Sequence, residues 1–281
     1  MCAPRRNVAG RPGDGGLATA PDALADLETT VHGFLAAAVD DADAERVVVG
    51  LDGSLGAAVT ATLAADAVGP ERVTGLVMPA RLRHAVAARE AEAVAEALGI
   101  DSARVHLQPL LAAFQSAMSA SAGPTDDPIA TENALVRLRA ACAYYVANAT
   151  NGVVVGTCNR TDRLLGTVTK HGDTGVDFLP LGDCYRTEVR ALADALEVPV
   201  DAGPETRVPG PRAGETDRGD PELSDEELDR LLHLLVDERL AVDVVAADVG
   251  VAPDVVERVA GWCVATRHKR RRPPTPTTYT G

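Results

Sequence analysis

The chain has 281 residues, 46% of them hydrophobic, which is enough to fill the core of one large α/β domain or of two small ones. Its formal charge of −14 argues against nucleic acid or an anionic membrane surface as a partner. No apolar run approaches the roughly 18 residues of a membrane-spanning helix, so we expect a cytoplasmic protein without a membrane span.

The predicted elements alternate between helices and strands. A flexible leader over 1–20, which lacks the apolar segment of a secretory signal, precedes them. Strands that alternate with helices form parallel sheets, so the order predicts an α/β fold with a parallel sheet flanked by helices. Ligands bind such sheets beyond the carboxyl ends of the strands, where the loops after Leu51 and Gly156 are expected. The predicted elements are a helix over 23–39, a strand at Arg46–Leu51, a helix from Leu55, a strand over 72–78, a helix over 85–99, a strand over 103–108, a long helix over 131–149 with Tyr144 and Tyr145 buried, a strand over 152–157 and a helix over 187–198.

The C-terminal part of the chain is more irregular. Residues 200–221 are rich in proline and glycine, which predicts a mobile loop that is either a lid or a linker. Ser224 and Glu227 match a capping box at the start of an amphipathic helix. A last helical region ends at a basic run that prolines stop. We expect 21–272 to form a single domain and 273–281 to form a proline-rich tail.

The first candidate site follows the first predicted strand. Its glycines would let an anion approach the backbone, and the N–H groups of the next helix would receive a phosphate. A tight turn without a ligand is the alternative, in which Asp52 simply caps the helix. The residues of this loop are Gly50, Leu51, Asp52, Gly53, Ser54, Leu55, Gly56 and Ala57.

Polar residues crowd into a second segment, after the predicted strand over 152–157. Asp162 offers a carboxylate to Mg²⁺, which prefers oxygen ligands and substrate phosphates. Only two of the 27 basic residues are lysines, Lys170 and Lys269, and a lysine is a compact charge suited to phosphate. This lysine-poor, acidic composition suggests a salt-rich cytoplasm, with GC-rich coding as the alternative. The polar residues are Thr157, Asn159, Asp162, Thr169, Lys170, His171, Asp173, Asp177, Asp183 and Arg186.

Several other residues have simpler interpretations. The five cysteines are widely spaced and form no Cys-x-x-Cys pair, which favours buried thiols in a reducing compartment. The basic run 267–272 is typical of a solvated helix end, and Asp173 and Asp183 are either turn residues or catalytic ones. The expected packing residues are His106 in a strand, His233 on an apolar helix face and Trp262 in the last helix.

Residues 156–193 resemble the signature region of the ammonia-dependent NAD⁺ synthetases, which belong to the PP-loop ATP pyrophosphatase superfamily. The segment 132–148 is similar to the family's Asn-x-x-Ala-Arg-x-Arg helix, with Val136 in place of alanine. The segment 214–232 resembles the family's lid exit, with Glu215 in place of glutamine. The run 267–276 resembles its C-terminal His-Lys-Arg and Pro-Pro motif. These motifs occur in the family's order.

The resemblance implies an adenine-nucleotide alpha-hydrolase-like (PP-loop) fold, a homodimer and a reaction in two steps. ATP and Mg²⁺ adenylate the carboxylate of deamido-NAD⁺, and free ammonia then displaces AMP to give NAD⁺. Thr157 and Arg186 would join the loop Gly50–Ala57 in binding ATP, and Asp162 would bind Mg²⁺. The family usually has lysine at the position of Arg186 and glutamate at that of Asp162. The residues implied for deamido-NAD⁺ are Arg137, Lys170, Asp177, His268 and Lys269.

The loop departs from the family pattern at three positions. Asp52 and Ala57 stand where the family has serines, and Gly56 stands where it has the magnesium aspartate. The loop therefore keeps its backbone pattern and loses the chemistry of three side chains, unless Asp52 takes the metal from the opposite side. Two alternatives follow: a degenerate paralogue that binds a dinucleotide or adenine nucleotide without synthetase activity, and a PP-loop ligase for another carboxylic acid.

Overall fold

Our computed structural model of the chain describes residues 16–81, 84–121, 127–198 and 223–276. The predicted loop at 200–221 lies outside these ranges, and so do Glu215, most of the predicted leader and residues 277–281. None of the described helices is long and apolar enough to span a membrane.

A four-stranded parallel sheet forms the centre of the molecule, in the order β3-β2-β1-β4. The central strand β1 reads Val-Val-Val without alternation, because helices cover both faces of the sheet and its valines are fully buried. In register, Val47 pairs with Val73 on one side and Val153 on the other. The strands are β1 (Arg46–Leu51), β2 (Val73–Val77), β3 (Asp101–Arg104) and β4 (Gly152–Val155).

Helices cover the sheet on two faces. The helices α1, α2, α3 and α7 enclose one apolar cluster, and α4 and α5 enclose a second cluster on the other face. The helix α2 is apolar all round because it is buried between α1 and the sheet. The helices that flank the sheet are α1 (Pro21–Asp41), α2 (Leu55–Val68), α3 (Ala85–Ala97), α4 (Gln108–Ser121), α5 (Pro128–Ala149) and α7 (Arg186–Ala195).

A third apolar cluster joins the C-terminal helices to the short helix α6 (Arg160–Leu165). Trp262 and His233 pack in or beside this cluster, as predicted. The capping box is also confirmed, because Ser224 and Glu227 exchange hydrogen bonds at the start of α8. The C-terminal helices are α8 (Asp225–Leu232), α9 (Val242–Val249), α10 (Pro253–Ala265) and α11 (Arg267–Arg270).

Two details of the prediction are wrong. The strand predicted over 103–108 is β3 at Asp101–Arg104, so His106 lies beyond it and is exposed. The apolar residues Val105 and Leu107 caused this shift: their N–H groups still bond to Val77 and Pro79, although the strand has ended.

The second error concerns the aromatic pair of α5. Tyr144 is half-buried, but Tyr145 is 78% exposed. Consecutive helical residues point about 100° apart, so one of two neighbouring tyrosines leaves the packed face. α5 buries little else, namely Leu135, Ala143 and Ala147.

The connections place a crevice at the carboxyl ends of β1 and β4. From β1 the chain passes through α2 to β2 and onward to β3, and then returns through α5 to β4 on the other side of β1. The order of the strands along the chain reverses between β1 and β4. α/β proteins bind ligands at such a switch point. The loops after Leu51 and Gly156 therefore adjoin, as predicted.

Candidate functional site

A cleft of about 330 Å³ opens at this switch point. Its walls are mostly apolar, with a few polar side chains, as is common for binding sites of small molecules. The lining residues come from the ends of β1, β2 and β4, from α3 and α5, and from the segment 172–176. The polar ones are Asp52, His84, Arg139, Thr157, Cys158 and Asp173.

The glycine loop has the expected backbone shape. Gly53 has φ +85°, a backbone conformation that favours glycine. A Cβ there would also lie 2.8 Å from the carbonyl oxygen of Ala87, so both the conformation and the space exclude a side chain. Ser54 caps α2 by accepting the N–H of Ala57 at 3.3 Å. Asp52 instead accepts the N–H of Ser54 at 3.0 Å, so the alternative in which Asp52 caps the helix is wrong. Asp52 shapes the turn before the helix and faces the cleft.

The first turn of α2 packs against the segment that follows β4. A Cβ on Gly56 would lie 2.8 Å from the backbone carbonyl oxygen of Thr157. That distance is closer than two such atoms approach without a shift of the backbone. The structure thus brings Gly56 and Thr157 together and leaves no room for a side chain where the family has its magnesium aspartate.

An arginine bridges two carboxylates beside this packing contact. Nη2 of Arg186 donates to Oδ1 of Asp162 at 2.8 Å, and Nη1 donates to Oδ1 of Asp225 at 2.8 Å. Asp225 also accepts Nη2 of Arg190 at 3.1 Å. The two residues that the resemblance assigns to metal and ATP, Asp162 and Arg186, are therefore an ion pair.

This arrangement does not fit a magnesium ion held by the protein. Asp162 is already bonded to a cation, and Gly56 offers no carboxylate. Across the described residues, no group of three or more His, Cys, Asp or Glu side chains could hold a metal ion. Magnesium binding by Asp162 therefore stays a prediction, and in the structure this carboxylate is paired with Arg186 instead.

A buried aspartate fixes the geometry behind the pair. Asp229 is fully buried and accepts the Thr161 hydroxyl at 2.5 Å, and the N–H and hydroxyl of Thr187 at 2.8 and 2.9 Å. The Thr161 hydroxyl in turn accepts the N–H of Arg186 at 2.9 Å. Burial raises the pKa of Asp229 to about 6, because its effect is larger than that of the hydrogen bonds, which lower the pKa. The starts of α6 and α7 are thereby held on α8.

Two acids and a thiol meet inside the cleft. Burial raises the pKa of Asp173, and the nearby charge of Asp52 raises it further, whereas the N–H of Thr169 bonds to its carboxylate at 2.6 Å. Burial also raises the pKa of Cys158, so this thiol stays protonated and packed, as predicted. Asp183 lies elsewhere, 82% exposed, and pairs with Arg160 at 3.0 Å.

The residues predicted for deamido-NAD⁺ form two groups. Arg137 donates to the carbonyl oxygen of Lys170 through Nε and Nη2, at 3.2 and 3.1 Å. Asp177 accepts the N–H of Val154 at 2.8 Å and the hydroxyl of Tyr144 at 3.0 Å, which ties it to β4 and α5. These contacts position the backbone, and a role in binding substrate stays a prediction.

The second group lies on α11. His268 is exposed and Nζ of Lys269 bonds to the carbonyl oxygen of Gly166, while burial lowers the pKa of Lys269. Arg270 donates to the carbonyl oxygens of Arg163, Leu164 and Cys263, so it closes the ends of α6 and α10. The run predicted as a solvated helix end is therefore half-buried at Lys269 and Arg270.

Sequence reasoning missed Arg139, His84 and Met78 as cleft residues. Arg139 lies two residues after Arg137 on α5, and its Nε donates to the carbonyl oxygen of Met78 at 3.4 Å. The signal was available, because the helix motif contains both arginines. No local pattern singles out Met78 or His84, which reach the cleft only through the folding of β2 and α3.

Known proteins share this fold over nearly the whole chain. The family model for NAD synthase matches residues 27–273. The NH₃-dependent NAD⁺ synthetase of Halobacterium salinarum is 36% identical, over 90% of this chain and 93% of that protein. The enzyme of the same name from Methanosarcina mazei is 34% identical, over 91% of this chain and 99% of that one.

Solved structures agree with the family match. An NMN synthetase from Francisella tularensis superimposes with a TM-score of 0.71 at 26% identity, over 90% of this chain and 98% of that chain. The NH₃-dependent NAD synthetase from Campylobacter jejuni, in complex with a nitrate ion, gives a TM-score of 0.73 at 22% identity over the same shares. The second likeness concerns the fold alone. The sheet, the cleft and the motifs in order agree with these matches, and the chain belongs to the NAD synthase family.

Proposed function

We propose that this protein forms NAD⁺ from deamido-NAD⁺, ATP and free ammonia in the cytoplasm. The observation that carries the proposal is the position of the cleft, between the glycine loop and the segment 156–176 that carries the family signature. The relatives named NH₃-dependent NAD⁺ synthetases support ammonia as a substrate and NAD⁺ as the product.

The first step needs positive charge around the phosphates of ATP. Within the described residues, no partner takes the N–H groups of Leu55 and Gly56 at the start of α2. Such groups, together with the helix dipole, stabilise a bound anion. We assign Arg186, which pairs with Asp162 and Asp225, the role of a further charged donor to these phosphates. An oxygen of the substrate carboxylate attacks the α-phosphorus, the bond to pyrophosphate breaks, and a mixed anhydride forms.

The second step needs a proton acceptor. The nitrogen of ammonia attacks the acyl carbon, the bond to AMP breaks, and the nitrogen loses a proton. Asp173 lines the cleft, and its raised pKa makes its carboxylate a better base than an exposed aspartate. We assign Asp173 the role of accepting this proton.

We expect purified protein to form NAD⁺ in molar KCl with ATP, Mg²⁺, deamido-NAD⁺ and ammonium. Replacing Asp173 by asparagine should lower kcat by about a hundredfold or more, which is the usual contribution of a general base. Asp183→Asn is the matched control, because this exposed carboxylate lies outside the cleft and its loss should leave kcat unchanged. Equal activity of both variants would contradict the assigned role.

A second candidate function is nucleotide binding without synthesis. The observation that favours it is the loop, which lacks three family side chains and has closed against Thr157 at Gly56. If no NAD⁺ forms while calorimetry shows binding of ATP or deamido-NAD⁺, this candidate replaces the first.

A different acid substrate is the third candidate. The Francisella structure is named an NMN synthetase, so one relative of this fold is named for a mononucleotide product. Nicotinic acid mononucleotide, the acid of that amide, is therefore the second substrate to test. Consumption of ATP with this acid, and none with deamido-NAD⁺, would identify the protein as a ligase of changed specificity.

We also propose a homodimer, in which α4 forms part of the interface. Leu110, Phe114 and Met118 recur every four residues on one face of α4 and are exposed. We expect light scattering to give the mass of a dimer, and Phe114→Glu to shift the protein to monomers. Val264→Glu, which changes an exposed apolar residue on α10, should leave the dimer intact. A natural protein that is monomeric at high concentration would contradict the proposal.

A further inference from the structure

The ion pair between Arg186 and Asp162 has an unusual setting. Its guanidinium is mostly buried and lies between Asp162 and Asp225, and Asp225 is only 4% exposed. A planar guanidinium can bond to two carboxylates at once and keep further N–H groups for another anion. A lysine ammonium has no such fork. Arg186, which stands where the family usually has lysine, therefore suits a site that contains two carboxylates.

The charges of this cluster equal those of a metal site. Arg186 and Arg190 bring two positive charges to the carboxylates of Asp162 and Asp225. One divalent cation between two carboxylates would give the same balance. Gly56 has lost the aspartate that would complete a metal site, and the backbone of Thr157 fills that space.

We infer that Arg186 is a resident cation, held by Asp162 and Asp225 in place of a protein-bound divalent ion, and that the cleft binds the triphosphate of ATP independently of Mg²⁺. The inference rests on the proposed nucleotide binding in the cleft and deepens it. Asp225 acts as a positioning residue, because it aligns the guanidinium. The ion pair lies just outside the lining of the cleft, next to Cys158, on whose thiol the charge of Asp162 acts.

The test measures ATP binding by calorimetry in molar KCl, once with excess EDTA and once with excess Mg²⁺. For the natural protein we expect two Kd values within about threefold of each other. Arg186→Gln should weaken binding in EDTA by about tenfold or more, and Mg²⁺ should then strengthen it, since Asp162 is freed for the ion. Arg186→Lys serves as a second variant with the charge kept, and should show an intermediate loss.

The matched control is Arg258→Gln. Arg258 pairs with a single carboxylate, that of Asp254, at the same 2.8 Å, on a surface away from the cleft. Its loss should leave both Kd values unchanged. Melting curves of all variants check that they are folded.

The outcomes separate this inference from the proposed function. A natural protein whose ATP binding gains more than about tenfold from Mg²⁺ overturns the inference and leaves the proposed function standing. Mg²⁺-independent binding that Arg186→Gln leaves unchanged also overturns it, because Arg186 is then not the cation concerned. Absence of ATP binding under both conditions overturns the proposed function together with the inference.

Discussion

Replacing Asp229 by alanine should lower the free energy of unfolding by about 3 kcal/mol or more, because three buried donors lose their acceptor at once. Those donors are the hydroxyl of Thr161 and the N–H and hydroxyl of Thr187, at the starts of α6 and α7. Urea unfolding followed by circular dichroism measures the change. Asp248→Ala is the control: this exposed carboxylate pairs with Arg230, and its loss should cost less than about 1 kcal/mol. Equal losses would contradict the structural role of Asp229.

The same residue makes the stability depend on pH. The pKa of Asp229 is about 6 in the folded chain and 3.8 when unperturbed, so between these values the folded state holds a proton that the unfolded state has released. The contribution of this group to stability is therefore largest at low pH and falls as pH rises through 6. Between about pH 4.5 and 7.5 it falls by about 2 kcal/mol, at 1.36 kcal/mol per pKa unit.

Asp229→Asn removes this titration. The unfolding free energy of the natural protein, relative to this variant, should decrease over that pH range by the same amount. An increase, or no change, would show that Asp229 stays ionised when folded.

Restoring an aspartate at Gly56 should destabilise the protein by about 1–3 kcal/mol, the usual cost of overpacking. The added Cβ would lie 2.8 Å from the carbonyl oxygen of Thr157, and backbone atoms cannot rotate away. Gly56→Ala isolates this contact from the charge. The thermal midpoint measures the loss, and NAD⁺ formation shows whether any activity is gained.

Two other helical glycines provide the control. Around Gly33 in α1 and Gly261 in α10, no described atom lies within 4 Å of an added Cβ, apart from chain neighbours and the adjacent backbone of the same helix. Alanine at either position should raise the free energy of unfolding by about 0.5–1 kcal/mol, since glycine is the poorer helix former. If the double variant Gly56→Asp/Ala57→Ser were as stable as the natural protein and formed NAD⁺ faster, the contact between Gly56 and Thr157 would not exclude a side chain.

The sequence allowed the elements that position the cleft to be predicted. Three consecutive valines from Val47 required a strand covered on both faces, and Gly53 with Ser54 required a turn and a helix start. These features depend on residues close together in the chain. The place of the cleft then followed from the rule for parallel sheets.

The acids of α8 could not be predicted in the same way. In the sequence, Asp225 and Asp229 are charged residues in an amphipathic helix, which predicts exposure to solvent. Both are buried, because Thr161, Thr187 and Arg186 supply donors from segments 68, 42 and 39 residues away. Periodicity indicates which face of a helix a residue lies on, but not what the folded chain places opposite that face.

The short helix α6, which carries Asp162, depends on residues made much later. Its six residues are too few for a helix that is stable alone. The carbonyl oxygens at its end receive their hydrogen bonds from Lys269 and Arg270, between 103 and 107 positions further along the chain. On the ribosome, a nascent chain would carry the complete glycine loop and the signature segment long before those donors emerge. The end of α6 is therefore completed only once the chain has been made as far as Lys269 and Arg270.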